Sequence, residues 1–438
     1  MVKICMIGTG YVGLVSGACL ADFGHDVTCV DIDKARIDAL GRGEIPIYEP
    51  GLKDVVAKNV AGERLRFTTD LAPAAKGAEV VFIAVGTPPQ EDGGTDLRFV
   101  FAAARDIAQH LQNYTVVVQK STAPVGTARE IGRVIAAQMP QGAEFDVVSN
   151  PEFLREGSAV GDFMRPDRVV VGVESQRARA IMQKVYRPLY LLETPFVSTS
   201  LESAEMIKYA SNSFLATKIS FINEMARICE LVGADVDEVA RGMGLDGRIG
   251  KKFLHAGIGY GGSCLPKDVA SLIHVARSRG YDAPLVSAAH TINHELVDRA
   301  LEKLTRATGG LNGKTVALLG LAFKPNTDDL REAPALRLVH ELLSSGARVK
   351  VFDPVAMENF RKSTKAPVEY GKSAYETASG ADAVVLVTEW NEFRELDFPR
   401  LKKLMRGNVF VDCRNVYSPE RMEGTGFVYE SFGRGRAQ

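Results

Sequence analysis

Residues 2–31 read VKICMIGTGYVGLVSGACLADFGHDVTCVD, and this stretch decides the fold of the first part of the chain. The apolar run Val2–Ile7 predicts a short β-strand, and Leu14–Phe23 has small and apolar residues at helical spacing. Gly24 suits the end of that helix, because glycine adopts the left-handed conformation that closes helices. Asp26–Val30 predicts the next strand. The stretch therefore predicts a strand, a helix and a second, parallel strand.

The turn between the first strand and the helix carries Gly8, Gly10 and Gly13 in the order GxGxxG, and Asp31 follows the second strand. In a dinucleotide-binding unit the glycines shape the turn, admit the pyrophosphate and let the helix pack, and the acid binds the ribose hydroxyls. We therefore predict binding of an adenine dinucleotide. Because an acid at position 31 would repel a 2′-phosphate, NAD is expected over NADP. The alternative is a glycine-rich turn in an unrelated α/β protein.

Further apolar runs at the spacing of alternating strands and helices extend this unit. They are Val80–Val85, Thr115–Gln119, Phe145–Ser149 and Arg168–Val173. The predicted fold class is α/β with a doubly wound parallel sheet, which binds ligands at the carboxyl ends of its strands. Those ends carry the polar clusters Gly86–Pro88, Ser121–Pro124 and Asn150–Gly157. We expect a site there, although each cluster alone could be a turn or a helix cap.

A long helix is predicted from Thr199 to about Gly233, opened by a capping box of Thr199 with Glu202. Lys208 and Asn212 lie four residues apart and therefore share one face of it. Their alternative interpretation is a solvated surface. The helix has apolar residues on several sides, which predicts that another surface covers it. A homodimer is the expected assembly.

A second α/β unit is predicted from Lys314 onward. Its strands are Thr315–Leu319, Arg348–Phe352, Ala383–Thr388 and Val409–Asp412, with a helix over Pro334–Leu343. Asp353 ends a strand as Asp31 does, but no complete GxGxxG precedes it. The loop Phe323–Arg331 holds cations that could grip phosphates, and its alternative is a solvated turn with internal ion pairs. The tail Gly433–Gln438 is predicted to be disordered.

The segment Gly257–Asp268, GIGYGGSCLPKD, places one cysteine, Cys264, at the start of a predicted helix. Pro266 suits the first turn of a helix, where its missing N–H costs nothing. The positive end of the helix and Lys267 both favour the thiolate, which is the nucleophilic form. The glycines are expected to let a substrate approach the backbone. The alternative is a glycine-rich turn followed by an ordinary small apolar residue.

Composition excludes several classes of protein. A chain of 438 residues is too long for one ordinary core, so two or three domains are expected. The formal net charge of −1 gives no bulk attraction for nucleic acid. No apolar run reaches the length of a membrane span, and the N-terminus leads into the glycine motif without a cleavable signal, so we expect a cytoplasmic protein. The six cysteines form no CxxC pair, which predicts neither a metal site nor a disulfide framework, and five are expected to be buried.

Taken in order, the motifs resemble those of the UDP-glucose/GDP-mannose dehydrogenase family over almost the whole chain. They are IGTGYVGL, IYEPGL at Ile47–Leu52, VGTP, STAPVGT, NPEFLREG, IKYASNSFLATKISFINE, RIGKKFLHAG, GYGGSCLPKD and FKPNTDDLRE. RIGKKFLHAG is more like the members that act on UDP-glucose than those that act on GDP-mannose. Members that act on UDP-N-acetylhexosamines typically have GHC followed by PVDP, where this chain has GSCLPKD.

The resemblance implies two Rossmann-like doubly wound domains joined by a long central helix and a helical dimerisation domain. The implied boundaries are 1–198 for an NAD-binding Rossmann domain, 199–300 for a central helical dimerisation and catalytic domain, and 301–438 for a Rossmann-like domain that binds the UDP-sugar. The implied reaction is an NAD-dependent, two-step, four-electron oxidation of UDP-glucose to UDP-glucuronate. It would pass through a thiohemiacetal and then a thioester on Cys264.

The resemblance also assigns roles to other catalytic residues. Lys208 and Asn212 would hold the oxygen of the covalent adduct. Asp268 would act with Lys208 on a water or a proton. Glu152 would be the general base when the thioester is cleaved, and Thr122 would position water near the cofactor.

Binding residues follow from the same resemblance. Those implied for NAD are Gly8, Gly10, Tyr11, Val12, Gly13, Asp31, Arg36, Thr87, Thr122, Glu156, Lys267 and Arg331. Those implied for the nucleotide sugar are Glu152, Phe153, Leu154, Arg155, Glu156, Lys208, Asn212, Arg248, Phe253, Leu254, His255, Ala256, Gly257, Gly261 and Lys324. Arg248 would approach the sugar from the partner subunit, which would make the dimer part of the site.

Three other functions stay open on the sequence. A GDP-mannose 6-dehydrogenase differs only in substrate. A two-electron dehydrogenase of hydroxyacids shares the nucleotide fold and the long helix but has no use for a thiol nucleophile. A catalytically silent NAD-binding sensor is disfavoured by the intact set Lys208, Asn212, Cys264 and Asp268.

Overall fold

The computed structural model describes residues 1–434, and the chain forms two compact units, Met1–Ser211 and Asn212–Gln438. Each unit contains its own β-sheet, and the boundary between the units falls inside one long helix. The predicted α/β class with two Rossmann-like sheets and a long central helix is confirmed. The division into three domains at residues 198 and 300 stays a prediction. Within residues 1–434, no helix combines the length and the apolar character that a membrane span requires.

The first unit contains an eight-stranded sheet in the order β3-β2-β1-β4-β5-β6-β7-β8. The strands are β1 Lys3–Ile7, β2 Asp26–Val30, β3 Leu65–Thr68, β4 Val80–Ile83, β5 Thr115–Gln119, β6 Phe145–Ser149, β7 Val169–Gly172 and β8 Phe196–Thr199. Ile4 and Met6 belong to one hydrophobic cluster, whereas Cys5 and Ile7 belong to another. Because alternate residues of a strand point to opposite faces, apolar layers cover both faces of this sheet. Strand order reverses between β1 and β4, where such sheets bind their ligands.

Helices connect the strands of the first unit. They are α1 Tyr11–Asp22, α2 Lys34–Gly41, α3 Leu52–Ala61, α4 Leu71–Ala75, α5 Arg98–Ala108, α6 Thr127–Ala136, α7 Ala159–Met164 and α8 Gln176–Val185, and a 3₁₀ helix spans Arg187–Leu192. Helix α1 begins three residues before the predicted start at Leu14. The amide of Leu14 already donates to the Gly10 carbonyl, so the last residues of the fingerprint form the first helical turn.

One part of the sheet departs from the predicted parallel arrangement. Strand β7 pairs with β6 in the antiparallel sense, through Ser149 and Gly172, while β7 and β8 are parallel to each other. The connection between β6 and β7 contains only the short helix α7 and does not return to the opposite edge of the sheet. The loop 150–158 therefore stays at the carboxyl edge.

The long helix α9 spans Leu201–Val232, and its predicted N-terminal cap is wrong. Thr199 is the last residue of β8, and the hydroxyl of Ser200 accepts the hydrogen bond from the amide of Ser203. Glu202 instead pairs with the guanidinium of Arg129. Thr199 and Ser200 are adjacent, and either hydroxyl could cap the helix. Because Thr199 pairs with Gly172 at the end of β8, Ser200 takes the cap position.

The second unit contains the remainder of α9 and a six-stranded parallel sheet in the order β11-β10-β9-β12-β13-β14. The strands are β9 Thr315–Leu319, β10 Arg348–Phe352, β11 Glu369–Tyr370, β12 Ala383–Leu386, β13 Val409–Asp412 and β14 Val428–Ser431. The helices are α10 Val236–Gly244, α11 Leu265–Ser278, α12 Pro284–Thr308, α13 Pro334–Ser344, α14 Met357–Ser363, α15 Ala374–Ala378, α16 Phe398–Leu404 and α17 Pro419–Met422. A 3₁₀ helix spans Asn391–Phe393.

Asp353, at the end of β10, occupies the position that Asp31 occupies after β2. It is only 1% exposed, and five donors of the protein bind its two oxygens. They are the amides of Leu321, Ala322, Val355 and Ala356 and the indole N–H of Trp390. The carboxylate has no access to a ribose, so this strand end organises the fold of the second unit in place of holding a dinucleotide.

The end of the chain corrects one prediction. The amide of Gly433 donates to Glu230 at 2.8 Å, and the guanidinium of Arg434 pairs with Asp235 and Asp237. These two residues are therefore ordered against α9 and α10, where the sequence predicts a disordered tail. The rest of that predicted tail, residues 435–438, lies outside the described residues.

We predict that Asp353→Ala destabilises the second unit by at least about 3 kcal/mol, because it leaves several buried donors without an acceptor. Trp390 is the only tryptophan of the chain and is buried beside Asp353, so its fluorescence during urea unfolding reports on this unit. Asp397→Ala is the matched control. Asp397 caps α16 at an exposed position, and its loss should cost about 1 kcal/mol. Equal losses for the two variants would contradict the role given to Asp353.

Candidate active site

The dinucleotide fingerprint has the geometry that the sequence predicts. A Cβ atom on Gly8 would lie 2.5 Å from the carbonyl oxygen of Ala84, and one on Gly13 would lie 2.0 Å from that of Gly8. No atom lies within 4 Å of a Cβ on Gly10. Two glycines are therefore required by the packing of the chain itself, while the third leaves open space at the N-terminus of α1. That space and the free amides of the first helical turn fit a pyrophosphate.

Asp31 is fixed beside this turn. Its Oδ2 accepts hydrogen bonds from the amide of Thr9 at 2.7 Å, from the Thr9 hydroxyl at 2.8 Å and from Arg36 at 3.2 Å. Burial alone would raise the pKa of this carboxyl, but hydrogen bonds from the amides of Asp33 and Thr9 hold it below its ordinary value. Asp31 is therefore ionised, and its orientation is set before any ribose arrives.

The three polar clusters predicted at the strand ends follow β4, β5 and β6, which are neighbours in the sheet. The hydroxyl of Thr87 donates to the carbonyl of Thr122 at 2.9 Å, and that of Ser121 donates to the carbonyl of Val85 at 2.7 Å. The structure therefore brings the first two clusters together at one edge. The third, which contains Glu152, follows the adjacent strand.

Glu152 and Lys208 form a buried ion pair. The Lys208 Nζ lies 2.9 Å from the Glu152 Oε1, and both side chains are 4% exposed. The alternative of a solvated lysine is therefore wrong. Burial alone would raise the pKa of Glu152, but the Lys208 ammonium and the amide of Leu154, which donates at 2.6 Å, hold it below its ordinary value. The ring of Phe153 lies 5.5 Å from the same ammonium and covers the pair.

In the second unit, Cys264 stands at the N-terminal cap of α11, directly before Leu265 and Pro266. It is half-buried, whereas the other five cysteines are buried, as the sequence predicts. Its Sγ lies 3.6 Å from the hydroxyl of Ser263. The thiol therefore sits at the positive end of a fourteen-residue helix and is the most accessible sulfur among the cysteines.

Asp268 lies one turn further along α11 and is 1% exposed. Its Oδ2 accepts from the side-chain amide of Asn212 at 2.6 Å, and its Oδ1 accepts from the ammonium of Lys267 at 2.7 Å. Asn212 is itself buried, so it is not part of a solvated surface. Lys208 and Asn212 thus lie one turn apart on α9, and each is bound to a different buried carboxylate.

The glycines before Cys264 are required by the packing of the loop itself. A Cβ on Gly257 would lie 2.4 Å from the Cys413 carbonyl oxygen, and one on Gly261 would lie 2.2 Å from that of Glu332. A Cβ on Gly262 would overlap the ring of Phe323. These glycines let the loop pack closely against other residues of the second unit, and approach of a substrate to this backbone stays a prediction.

The predicted sugar-binding residues 253–257 differ in how accessible their side chains are. The side chains of Leu254 and Ala256 lie in the hydrophobic core of the second unit, so only their backbone groups are left for a ligand. His255 is exposed, and Phe253 has a φ of 66°, a strained value for an aromatic residue. The amide of Gly257 already donates to Asn223.

Three predicted cations are paired with acids two to seven residues away. Arg331 forms a two-bond contact with Asp329, Arg248 forms one with Asp246, and Arg155 forms one with Asp162. The Arg248 and Arg331 side chains remain 90% and 62% exposed, so both can exchange these partners for a phosphate or a sugar at little cost. The loop Phe323–Arg331 thus has the internal pairs of the alternative interpretation, and phosphate binding by it stays a prediction.

Comparison with known proteins agrees with this geometry. The UDP-glucose/GDP-mannose dehydrogenase family matches the chain with its NAD binding domain over residues 2–190, its central domain over 202–295 and its UDP binding domain over 317–419. The chain is 55% identical to a UDP-glucose 6-dehydrogenase of Rhizobium meliloti strain 1021, with 99% of each chain covered. It is 48% identical to the UDP-glucose 6-dehydrogenase TuaD of Bacillus subtilis strain 168, covering 99% of this chain and 94% of that one.

Among solved structures, a UDP-glucose dehydrogenase from the hyperthermophilic archaeon Pyrobaculum islandicum superposes with a TM-score of 0.93. The two are 38% identical, and the match covers 100% of this chain and 98% of that one. The chain belongs to the UDP-glucose/GDP-mannose dehydrogenase family. The resemblance read from the motifs is thereby confirmed, while the contacts of individual site residues with cofactor and sugar stay predictions.

Lys120 is a buried lysine at the carboxyl end of β5 that the sequence does not single out. It directly follows β5, precedes Thr122 and is 4% exposed. Within residues 1–434 its ammonium donates to Asn150, at 3.3 Å to the carbonyl and 3.2 Å to Oδ1. Burial lowers the pKa of its ammonium to about 8, the nearby Glu152 opposes that shift and Lys208 adds to it. The signal in the sequence was a lysine adjoining a continuous apolar strand.

Glu205 was missed as well. On α9, three residues before Lys208, it accepts hydrogen bonds from the amides of Gly126 and Ala128 at 2.7 and 2.8 Å. It thereby caps α6 and ties the segment after Thr122 to the helix that carries Lys208. Burial raises the pKa of this carboxyl.

We predict that the stability of the wild type relative to Lys120→Met rises between pH 8 and pH 10. The folded chain releases the Lys120 proton near pH 8, whereas the unfolded chain keeps it to about pH 10.5, so the unfolded state binds more protons in this range. The difference should grow by up to about 1.4 kcal/mol per pH unit. Melting temperatures of both variants across this range measure it. Lys184→Met, at a half-exposed surface lysine, serves as control. If the stability difference between the wild type and Lys120→Met is as independent of pH as that for Lys184→Met, the lowered pKa of Lys120 is refuted.

Proposed function

We propose that this protein is an NAD-dependent dehydrogenase that oxidises the primary alcohol of UDP-glucose twice, giving UDP-glucuronate. The observation that carries this proposal is Cys264, a half-buried thiol at a helix N-terminus in a chain with the NAD-binding and UDP-binding domains of its family. Oxidation of an alcohol to an aldehyde needs no nucleophile. Oxidation of the aldehyde to a carboxylate does, because hydride leaves only from a tetrahedral carbon.

Cys264 makes the aldehyde carbon of the sugar tetrahedral. Its thiolate adds to the aldehyde carbon and forms a thiohemiacetal, whose oxygen carries the negative charge. Loss of hydride from this adduct leaves a thioester. Water then attacks the thioester carbonyl and expels the thiolate, which releases the carboxylate and restores the enzyme. The helix N-terminus stabilises the thiolate each time it forms.

Lys208 and Asn212 are proposed to hold the sugar oxygen. Both side chains are buried, where an ammonium and an amide N–H stabilise an oxyanion more strongly than they would in water. Their present partners, Glu152 and Asp268, fix their orientation before the substrate binds. The oxyanion therefore meets donors that need little reorganisation.

The carboxylates supply the proton transfers. Glu152 is ionised at neutral pH, because its lowered pKa keeps the proton off, so it can accept a proton from the water that cleaves the thioester. Asp268 assists through Asn212 and Lys267, and Thr122 positions a water at the edge of the first sheet. Two NAD molecules, bound in succession, would each accept one hydride.

UDP-glucose is the substrate that the available observations favour. The matched C-terminal domain is described as UDP binding, and relatives at 55% and 48% identity are named UDP-glucose 6-dehydrogenases. GDP-mannose is the second candidate, since the family includes both activities. Six free cysteines without a disulfide are typical of a reducing compartment, which supports a cytoplasmic location.

A homodimer formed through α9 completes the proposal. Helix α9 carries an exposed apolar stripe with one residue every seven positions: Phe214, Phe221 and Ile228, which are 64%, 41% and 45% exposed. Leu231, which is 80% exposed, extends this stripe. A seven-residue apolar repeat packs against an identical helix, because two such stripes interlock along their length. We propose that a second copy of this chain covers the stripe. The exposed Arg248 is then available to reach the partner's sugar.

We predict two NADH for each UDP-glucuronate formed by the wild type, measured by absorbance at 340 nm against product quantified by chromatography. Cys264→Ser should lower uronate output by at least about 1000-fold, because a nucleophile is lost. Cys229→Ser, at a buried packing cysteine, should keep the two-to-one ratio.

Each rival function gives a different result in the same assay. A ratio of one NADH per product would indicate a two-electron dehydrogenase, and NADH binding without turnover would indicate a sensor. Faster turnover of GDP-mannose or UDP-N-acetylglucosamine would refute the choice of sugar. Undiminished uronate output from Cys264→Ser would refute the covalent scheme.

We predict that light scattering after gel filtration gives the mass of two chains, about 95 kDa from the 47.5 kDa of one. Replacing both Phe214 and Phe221 by glutamate should give monomers, because charges cannot be buried in an apolar seam. Leu191→Glu, at an apolar residue that is 87% exposed and is not part of α9, is the control and should remain dimeric. A monomeric wild type would overturn this assembly.

A further inference from the structure

Glu49 is a buried carboxylate in the segment IYEPGL, which the reaction leaves without a role. It is 7% exposed and forms no ion pair within residues 1–434. Its Oε1 accepts from the amide of Ala159 at 2.8 Å, and its Oε2 accepts from the amide of Gly157 at 2.6 Å and from the hydroxyl of Tyr11. A buried carboxylate without a cation is costly, and these three hydrogen bonds offset that cost.

The partners of Glu49 belong to two functional segments. Tyr11 is the first residue of α1, inside the dinucleotide fingerprint. Gly157 lies at the end of the loop that carries Glu152, and Ala159 is the first residue of α7. The amide of Gly157 also donates to the Tyr11 hydroxyl at 3.1 Å, so the tyrosine, the glutamate and the loop close a ring of hydrogen bonds.

The loop has separate anchors at each of its ends. At its start, Asn150 accepts from Lys120 and from the hydroxyl of Tyr186 at 2.5 Å. At its end, Glu49 accepts from the amides of Gly157 and Ala159. The backbone between these anchors has no regular secondary structure, so a shift at either end displaces Glu152.

We propose that Tyr11 and Glu49 form a clamp through which cofactor binding fixes the loop that carries Glu152 and Glu156. A pyrophosphate at the N-terminus of α1 orders the backbone at Gly10 and Tyr11. The tyrosine hydroxyl then holds Glu49, and Glu49 holds the end of the loop. Glu49 is thus a positioning residue that touches neither substrate nor cofactor. Its assigned consequence for catalysis rests on the proposed role of Glu152.

The test is hydrogen exchange of peptides that cover residues 150–160, with and without saturating NADH. In the wild type, NADH should slow exchange of the Gly157 and Ala159 amides by about 5- to 150-fold, the range of typical coupling between sites. Glu49→Gln should abolish this effect of NADH. Glutamine has one acceptor oxygen, so its NH2 group would face one of the two backbone N–H donors that Glu49 binds. Tyr11→Phe removes one hydroxyl and keeps the ring, so it should weaken the effect in a folded protein.

Asp22→Asn is the matched control. Asp22 lies at the other end of α1 and binds Lys58 at 2.7 Å and Asn59 at 3.0 Å on α3, so its loss weakens the same unit without touching the loop. This variant should keep the NADH-dependent protection and the KM for NAD of the wild type. Glu49→Gln should raise the KM for NAD and lower kcat together. Protection by NADH that persists in both Glu49→Gln and Tyr11→Phe, or kinetics equal to those of Asp22→Asn, would overturn the clamp.

The exchange measurement needs only NADH binding and no turnover. A wild type that binds NADH but does not oxidise UDP-glucose would refute the proposed function while leaving the clamp testable. A wild type that forms two NADH per sugar but shows unaltered coupling in Tyr11→Phe and Glu49→Gln would refute the clamp alone.

Discussion

Buried carboxylates that accept backbone N–H groups hold the loops at the carboxyl edges of both sheets. Asp31 holds the turn after β1, Glu49 the loop after β6 and Glu205 the start of α6, and Asp353 holds the corresponding turn of the second unit. Loops at such edges have no ladder of their own to satisfy their amides. A carboxylate satisfies several amides at once, and each contact is stronger than a neutral hydrogen bond. These carboxylates therefore supply the hydrogen-bond acceptors that the loops at the sheet edges lack.

Asp31 and Asp353 show how one position serves two purposes. Both follow the second strand of a Rossmann-like unit and accept from amides in the first turn. Asp31 keeps some exposure beside open space at Gly10, whereas Asp353 is enclosed by Trp390 and four amides. The difference in enclosure, and not the acid itself, separates a dinucleotide site from a structural one. The sequence hinted at this through the incomplete glycine motif before Asp353.

Sequence reasoning found the central strands of both sheets to within two residues, because parallel strands buried on both faces are continuous apolar runs. The strands it missed, β3, β8, β11 and β14, are the four sheet edges, where polar residues interrupt the run. Cys264 and Glu152 are candidates that the motifs single out, and their catalytic roles stay predictions. Lys120 and Glu205 were missed because burial of a charge depends on tertiary partners that spacing does not reveal. The glycines near Cys264 stand out in the sequence, but the atoms that crowd Gly257, Gly261 and Gly262 come from residues 61 to 156 positions further along the chain.

The burial of five cysteines also affects how the protein reacts with thiol reagents. Burial raises the pKa of Cys5 and of Cys19 to about 12, and it raises the pKa of Cys29, Cys229 and Cys413. These sulfurs stay protonated and shielded while the chain is folded. A maleimide or disulfide reagent added to the native protein therefore meets one receptive sulfur per chain. The amount of reagent taken up therefore measures the number of accessible Cys264 thiols in a preparation.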